Sequence, residues 1–365
     1  MGDLDVLLVG PYPPPFGGIS AHVERVASTI QERGLSVGIV NHFGGGGNDP
    51  LVIDGLRRSP WRYWRVLRRS EARIVHYHHS RWSTLLAASL ALRRSRGATV
   101  ATVHGRELEP FLGSRLPGVS LVTKRALKTF DVLIAVSVEV ERSLGTIGPR
   151  VELIPAYLPV RDHGSQLSNA AEAFLRGGTN LVTAVYRMSV DVQGRTIYGL
   201  ETAIASFAAL ALGRPDLRLA IFLASPPGPR ESERLRRLVA QVRDDDIRHR
   251  IGVFHGEPLT AAFASAAVYL RPTLTDGDAV SIREALAAGV PVVASDVVRR
   301  PPGVITVGPE APAWPDAILR ALRRERISVE PARDDPAEDD PANALIRIYE
   351  RLGCAPARVV EAAVA

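Results

Sequence analysis

Short apolar runs alternate with stretches of helical periodicity along this chain. That alternation predicts parallel β-sheets wrapped by helices, because consecutive parallel strands need a long crossover between them. Residues 5–9 form the first apolar run, which ends at Gly10. PYPPPFGG then enforces a loop, since prolines fix φ and glycines relax it. Residues 20–33 put Val23, Val26, Ala27 and Ile30 on one helical face, and Gly34 stops the helix. Further strands are predicted at 37–40, 74–78, 99–103, 132–136 and 151–154. The rhythm then breaks: residues 155–180 are polar and weakly periodic, and Pro155 and Pro159 open the stretch. A second series has strands at 181–186, 217–223, 251–254, 268–271 and 292–294, with helices at 200–212, 231–243, 260–266 and 280–288. A chain of 365 residues exceeds one ordinary core. The expected division is a doubly wound, Rossmann-like domain at 1–160, a linker at 161–180 and a second such domain at 181–330. An acidic loop and a C-terminal helix fill 331–365. Two such α/β domains would face a cleft, with ligands beyond the carboxyl ends of the strands.

Composition excludes several classes. The hydrophobic fraction is 46% and the charged fraction 23%, as in soluble globular chains. Apolar runs stop near ten residues, whereas a spanning helix needs about twenty. The N-terminus has no basic lead-in, so no signal peptide is expected. A single cysteine, Cys354, excludes an intrachain disulfide and fits a cytoplasmic location. Net charge is +6, and Lys124 and Lys128 are the only lysines among 45 basic residues. Arginine clusters at 57–73, 93–96 and 320–326 read either as solvated helix faces or as peripheral contacts with an anionic inner-membrane surface. No zinc-finger spacing or RNA-binding aromatic motif is present, so a nucleic-acid partner is not expected.

Three loops after strands carry residue types suited to chemistry. The first is PTLTDGD and the helix after it. Asp276 and Glu284 are separated by seven residues, which places Glu284 about one and a half turns into a helix starting near Ala279. The first-turn N–H groups of Ala279, Val280 and Ser281, with the helix dipole, suit a diphosphate. A carboxylate before the helix can bond sugar hydroxyls, and one inside it can accept from a vicinal diol. Asp276-Gly277-Asp278 also spells Asp-x-Asp, a pattern that can hold a divalent cation. The second loop is PPPFGGISAHV, where Gly17 and Gly18 permit close backbone approach. The third is TVHGRE, with His104 at a strand's carboxyl end. In His76-Tyr77-His78-His79, His76 and His78 share one strand face, and further ligands for a metal are not evident.

The run EALAAGVPVVASD, with Asp276 and Glu284 before and within it, resembles the donor site of retaining glycosyltransferase family 4, which has the GT-B fold. The resemblance spans about residues 4–310 and is strongest at 268–296. It implies that Asp276, with Gly277, contacts the donor sugar and that Glu284 contacts the nucleotide ribose. It also implies that Gly17 and Gly18 lie beside the diphosphate and that His104 orients the transferred sugar. His22 faces the acceptor or simply covers its helix, and His78 is on the acceptor side or structural. Where the family has Gly-Arg and then Lys-Gly, this chain has Arg187 and then Tyr198-Gly199. Arg187 matches, the second cation is missing at Tyr198, and Arg195 is a candidate replacement. Asp276 stands where the family has Glu, one methylene longer.

The resemblance implies a hexosyltransferase-like enzyme that moves sugar, with retention, from a nucleoside-diphosphate sugar of UDP or GDP type to a hydroxyl acceptor. No cofactor or metal is expected. Two other readings remain open: a sugar-nucleotide epimerase of related fold, and a sugar-nucleotide-binding homologue without activity. A dinucleotide oxidoreductase is disfavoured, because no G-x-G-x-x-G follows the first strand.

Overall fold

Val6–Gly10 is fully buried on both sides, and this is why its sequence is continuously apolar rather than alternating. It is an interior strand, β1, of a seven-stranded sheet in a computed structural model of the chain. The structure describes residues 4–13, 17–42, 51–55, 60–79, 81–93, 95–105, 108–116, 118–145, 147, 150–156, 158, 166–186, 188–191, 193–276, 279–309, 312–323 and 340–355. The chain divides into two compact units.

In the first unit the strands are β1, β2 (Val37–Asn41), β3 (Val52–Gly55), β4 (Ile74–His79), β5 (Ala98–Val103), β6 (Val132–Ala135) and β7 (Arg150–Leu153). Their order is β3-β2-β1-β4-β5-β6-β7, all parallel. The order reverses between β1 and β4, so the loops after these strands diverge and leave room for ligand. Helix α1 (Gly18–Glu32) buries Val23, Val26, Ala27 and Ile30, the face expected from its period. Helices α2 (Pro60–Arg68) and α3 (Trp82–Leu92) follow β3 and β4. After β5 come α4 (Glu109–Leu112) and α5 (Val119–Leu127), and α6 (Val138–Leu144) joins β6 to β7.

The second unit begins with α7 (Asn169–Leu175) inside the stretch expected to be a linker at 161–180. The Ser168 hydroxyl accepts from the Ala171 N–H and caps the helix, Ala171 and Leu175 are buried, and Phe174 meets Phe254 edge to face. Seven residues give too few turns for a visible period. The stretch expected as a linker thus contains a helix over Asn169–Leu175. Strands β8 (Thr179–Val185), β9 (Leu217–Leu223), β10 (Ile251–His255), β11 (Ala266–Arg271), β12 (Val292–Ser295) and β13 (Ile305–Val307) form a parallel sheet. The order is β10-β9-β8-β11-β12-β13, with its reversal between β8 and β11. Helices α8 (Leu200–Ala211), α9 (Pro229–Ala240), α10 (Asp245–Arg248), α11 (Leu259–Ala262), α12 (Val280–Ala287) and α13 (Trp314–Leu322) complete the unit. Trp314 is fully buried and satisfies its indole N–H on the Gly308 carbonyl at 2.8 Å.

The last helix, α14 (Pro341–Arg351), belongs to the first unit. Its Leu345, Ile346, Ile348 and Tyr349 are buried in the core that contains Val6, Leu8 and Ile74. Its Arg351 pairs with Glu152 at 2.6 Å. Edge strands β3 and β13, of four and three residues, were not anticipated, because they are too short to show a pattern.

Candidate active site

In the first unit three histidines converge on the switch point between β1 and β4. Gly10 ends β1 against His78, whose Cβ would lie 2.9 Å from any Cβ at position 10. His78 is near the end of β4, His104 follows the last residue of β5, and His22 lies in α1. The His78 Nδ1 and His104 Nε2 atoms are 3.2 Å apart, and the His22 ring centroid is 4.9 Å from that of His104. His22 Nδ1–H donates to the Ala156 carbonyl at 2.5 Å, which leaves its Nε2 as an acceptor. His76 lies deeper, bonded to the Tyr349 hydroxyl and the Thr102 hydroxyl, both at 2.7 Å. The Nε2 of His78 is buried without a hydrogen-bond partner.

Burial pushes the His22 imidazole down to about 4 and His76 to about 3, and it holds His78 well below its ordinary value. These three rings are therefore neutral at pH 7. His22, His78 and His104 each present one nitrogen within 4.8 Å of the others. Nitrogens sharing a zinc at 2.0–2.1 Å sit about 3.3 Å apart, so the trio would have to contract to hold one. A sugar hydroxyl, which bonds to one nitrogen at a time, needs no contraction. His22 is only 6% exposed and His78 is fully buried, so both act from behind the surface.

In the second unit the switch point between β8 and β11 is built around charge. Arg271 is the last residue of β11, and the loop after it carries Asp276 back onto its guanidinium. Arg271 donates to both Asp276 oxygens, at 2.9 and 3.1 Å. Arg300 donates to Asp276 at 2.8 Å, to the Ser295 carbonyl at 2.8 Å, and to the Ser295 and Thr273 hydroxyls. The side chains of Arg300 and Asp276 are 2% and 8% exposed. Burial alone would raise the Asp276 carboxyl, but the two guanidiniums outweigh it and hold it below the usual carboxylate range. Burial opposes the Arg271 charge too, yet Asp276 more than offsets this and its pKa is raised.

Asp276, expected at the donor sugar, is thus engaged by two buried guanidiniums. Gly277, Asp278 and Arg187 lie outside the described residues. The guanidinium of Arg195, the candidate replacement cation, pairs with Asp191 at 2.8 Å within its own loop. Helix α12 starts at Val280 with Ala279 at its N-cap, and Glu284 is buried within it. The Ser281 hydroxyl accepts from Tyr269 at 2.8 Å. Gly17 is grouped with this unit, and a Cβ there would meet the Tyr186 ring at 2.1 Å. Gly18 has open space at that distance, so packing does not demand a glycine.

Arg271, Arg300, Tyr349 and Tyr269 were missed from sequence. A charged residue ending the otherwise apolar run AAVYLR was a signal for Arg271. Arg300 and Tyr349 act across 24 and 273 residues of chain, and no local pattern reveals that.

Residues 16–156 match the sequence model described as Glycosyltransferase Family 4, and residues 192–324 match that of Glycosyl transferases group 1. An exopolysaccharide phosphotransferase of Streptomyces coelicolor is 30% identical over 232 residues, 61% of this chain and 21% of that protein. The chain thus spans about a fifth of that relative's length. Among solved structures, a sucrose-phosphate synthase from Thermosynechococcus elongatus superposes with a TM-score of 0.61 at 20% identity, covering 97% of this chain and 95% of that one. A glycosyltransferase from Rickettsia africae gives 0.65 at 14% identity, covering 96% and 99%. An α,α-trehalose-phosphate synthase from Burkholderia xenovorans, in complex with glucose-6-phosphate, gives 0.63 at 14%, covering 95% and 96%. At these identities the structures establish the fold alone. With two family matches in tandem on two doubly wound sheets, the chain belongs to the glycosyltransferases of family 4 type with the GT-B fold.

Proposed function

We propose that the protein transfers a sugar, with retention, from a nucleoside-diphosphate sugar of UDP or GDP type to a hydroxyl acceptor. The observation that carries this is the second-unit switch point, where buried cationic charge stands beside α12 and its buried Glu284. Such a site favours a phosphate leaving group, while an internal carboxylate suits the ribose diol. In this reading Glu284 holds the ribose. The N–H groups of Ala279, Val280 and Ser281, with Gly17, Gly18 and Arg187, border the diphosphate. His104 bonds the transferred sugar, and the neutral rings of His22 and His78 line the acceptor side. Asp276 is locked in its ion pairs and is not a nucleophile. The acceptor hydroxyl therefore attacks from the face the diphosphate leaves.

The diphosphate charge is met by guanidiniums and N–H dipoles, so activity persists in EDTA; loss restored by Mn²⁺ would overturn this. The acceptor is a glycan, a lipid-linked sugar or a small molecule. Contact with an anionic inner-membrane face is part of the same proposal. Helix α2 carries Arg62, Arg65 and Arg68, and Trp61 is 68% exposed while stacking on Trp64. None of the described helices is long and apolar enough to cross a membrane. The function is tested by supplying UDP-, GDP- and dTDP-sugars with hydroxyl acceptors and measuring released nucleoside diphosphate. Acceptor-dependent release supports transfer. Binding without release with any acceptor would indicate a non-catalytic homologue, and sugar inversion without release an epimerase.

A further inference from the structure

We propose that Arg271 is a ligand of the donor diphosphate and that Asp276 is the residue that positions it. This rests on the nucleotide-sugar reading above and deepens it.

The clamp holds two guanidiniums and one carboxylate. It therefore carries an excess of one positive charge in a largely buried place. Arg300 is spent within the fold: all three of its nitrogens bond to Ser295, Asp276 or Thr273. Arg271 has fewer polar partners: Asp276 takes its Nε and Nη2, and the Tyr269 hydroxyl, kept neutral by burial, bonds to its side chain. The excess charge therefore resides on Arg271, at the carboxyl end of β11, where the strand order reverses.

Its position is fixed from the other side as well. The Arg271 guanidinium lies over the Tyr198 ring, 5.0 Å from its centroid. Burial pushes the Tyr198 hydroxyl up to about 12, so the ring beneath the cation stays neutral. The loop carrying Tyr198 is tied to the loop after β11 by a 2.8 Å bond from the Leu274 N–H to the Ile197 carbonyl. Gly199, at φ +65°, approaches Pro272 so closely that a Cβ would meet its carbonyl oxygen at 1.8 Å. Arg271 is thus held by an aromatic ring and a carboxylate. A guanidinium fixed in this way loses little freedom on meeting a phosphate and presents its fork in one direction. Tyr198 supplies no cation of its own, and Arg195 is turned onto Asp191. Arg271 is the cation that ends β11.

The test is competition titration on the full chain, using UDP, GDP and dTDP, each beside its parent nucleoside. Arg271→Met is expected to lose at least tenfold in affinity for the diphosphate that binds best, with the nucleoside changed less than threefold. Equal diphosphate affinity in a folded Arg271→Met overturns this assignment alone. If the wild-type chain binds none of the nucleotides, the nucleotide-sugar reading falls and the assignment falls with it. If Arg271→Met fails a thermal-melt check, Arg271→Lys carries the test. It keeps the charge but loses the fork, so diphosphate affinity should fall at least threefold; no change overturns the assignment. Asp276→Asn should weaken the diphosphate and the diphosphate-sugar by the same factor. A loss confined to the sugar conjugate would return Asp276 to the sugar and overturn its positioning role.

Discussion

The two sheets share one topology, yet their switch points are furnished in opposite ways. The first unit gathers neutral imidazoles: His22, His76 and His78 are kept uncharged by burial. The second gathers fixed charge: Arg271, Asp276 and Arg300 keep theirs through mutual pairing. A neutral site of donors and acceptors suits hydroxyl groups, while a site with excess cation suits phosphate. Each sheet has one switch point, and in the proposed function the residues there would divide the labour.

The comparison breaks most visibly if the charged side is cut. Asp276→Ala leaves two buried guanidiniums without their carboxylate and should cost about 3–5 kcal/mol of stability. Chemical denaturation checks this, and a loss under 1 kcal/mol would mean that the clamp is open to water. The neutral side should respond to acid instead. The folded pKa of His22 is depressed to about 4 from 6.5. Between those values the unfolded chain binds more protons. Stability is therefore intact above pH 6.5 and falls on acidification towards pH 4, by up to about 3 kcal/mol from this ring. A pH series of melts tests the sign, and His22→Gln should flatten the curve.

Smaller effects sharpen the division. Glu284→Ala should weaken nucleoside-diphosphate binding by about 1–3 kcal/mol, since a buried hydrogen-bonding pair is left unmet. His104→Ala should lower turnover at least about tenfold, roughly 1.4 kcal/mol, with donor affinity nearly unchanged. Wild-type turnover would remove His104 from the chemistry. Arg195→Ala should be the mildest, with little change in stability and without effect on nucleotide affinity, because its ion pair with Asp191 is part-exposed. A large loss of nucleotide affinity would restore it as a phosphate ligand.

The strands and most helices were legible because doubly buried strands are continuously apolar and their crossovers are periodic. Strand Leu217–Leu223 was read to the residue. Helix α7, of seven residues, and the short edge strands lacked the length to show a period. The C-terminal helix was legible as a helix, but its return to the first unit was not: periodicity shows which face is apolar and says nothing of which sheet receives it. The site divides in the same way. Glu284 and His104 stand at positions that local sequence marks. Asp276 finds its partner Arg300 24 residues further on, and Arg195 finds Asp191 within its own loop. Ion-pair choice is made in three dimensions, between side chains whose charge the sequence states and whose partner it does not.

The most direct test of the account is saturation binding of UDP, GDP and dTDP to the wild-type chain and to Glu284→Ala in parallel. At least one diphosphate should bind the wild type, and Glu284→Ala should bind it at least about fivefold more weakly. Binding of none, or equal binding by both proteins, would contradict a nucleotide-sugar donor site at α12.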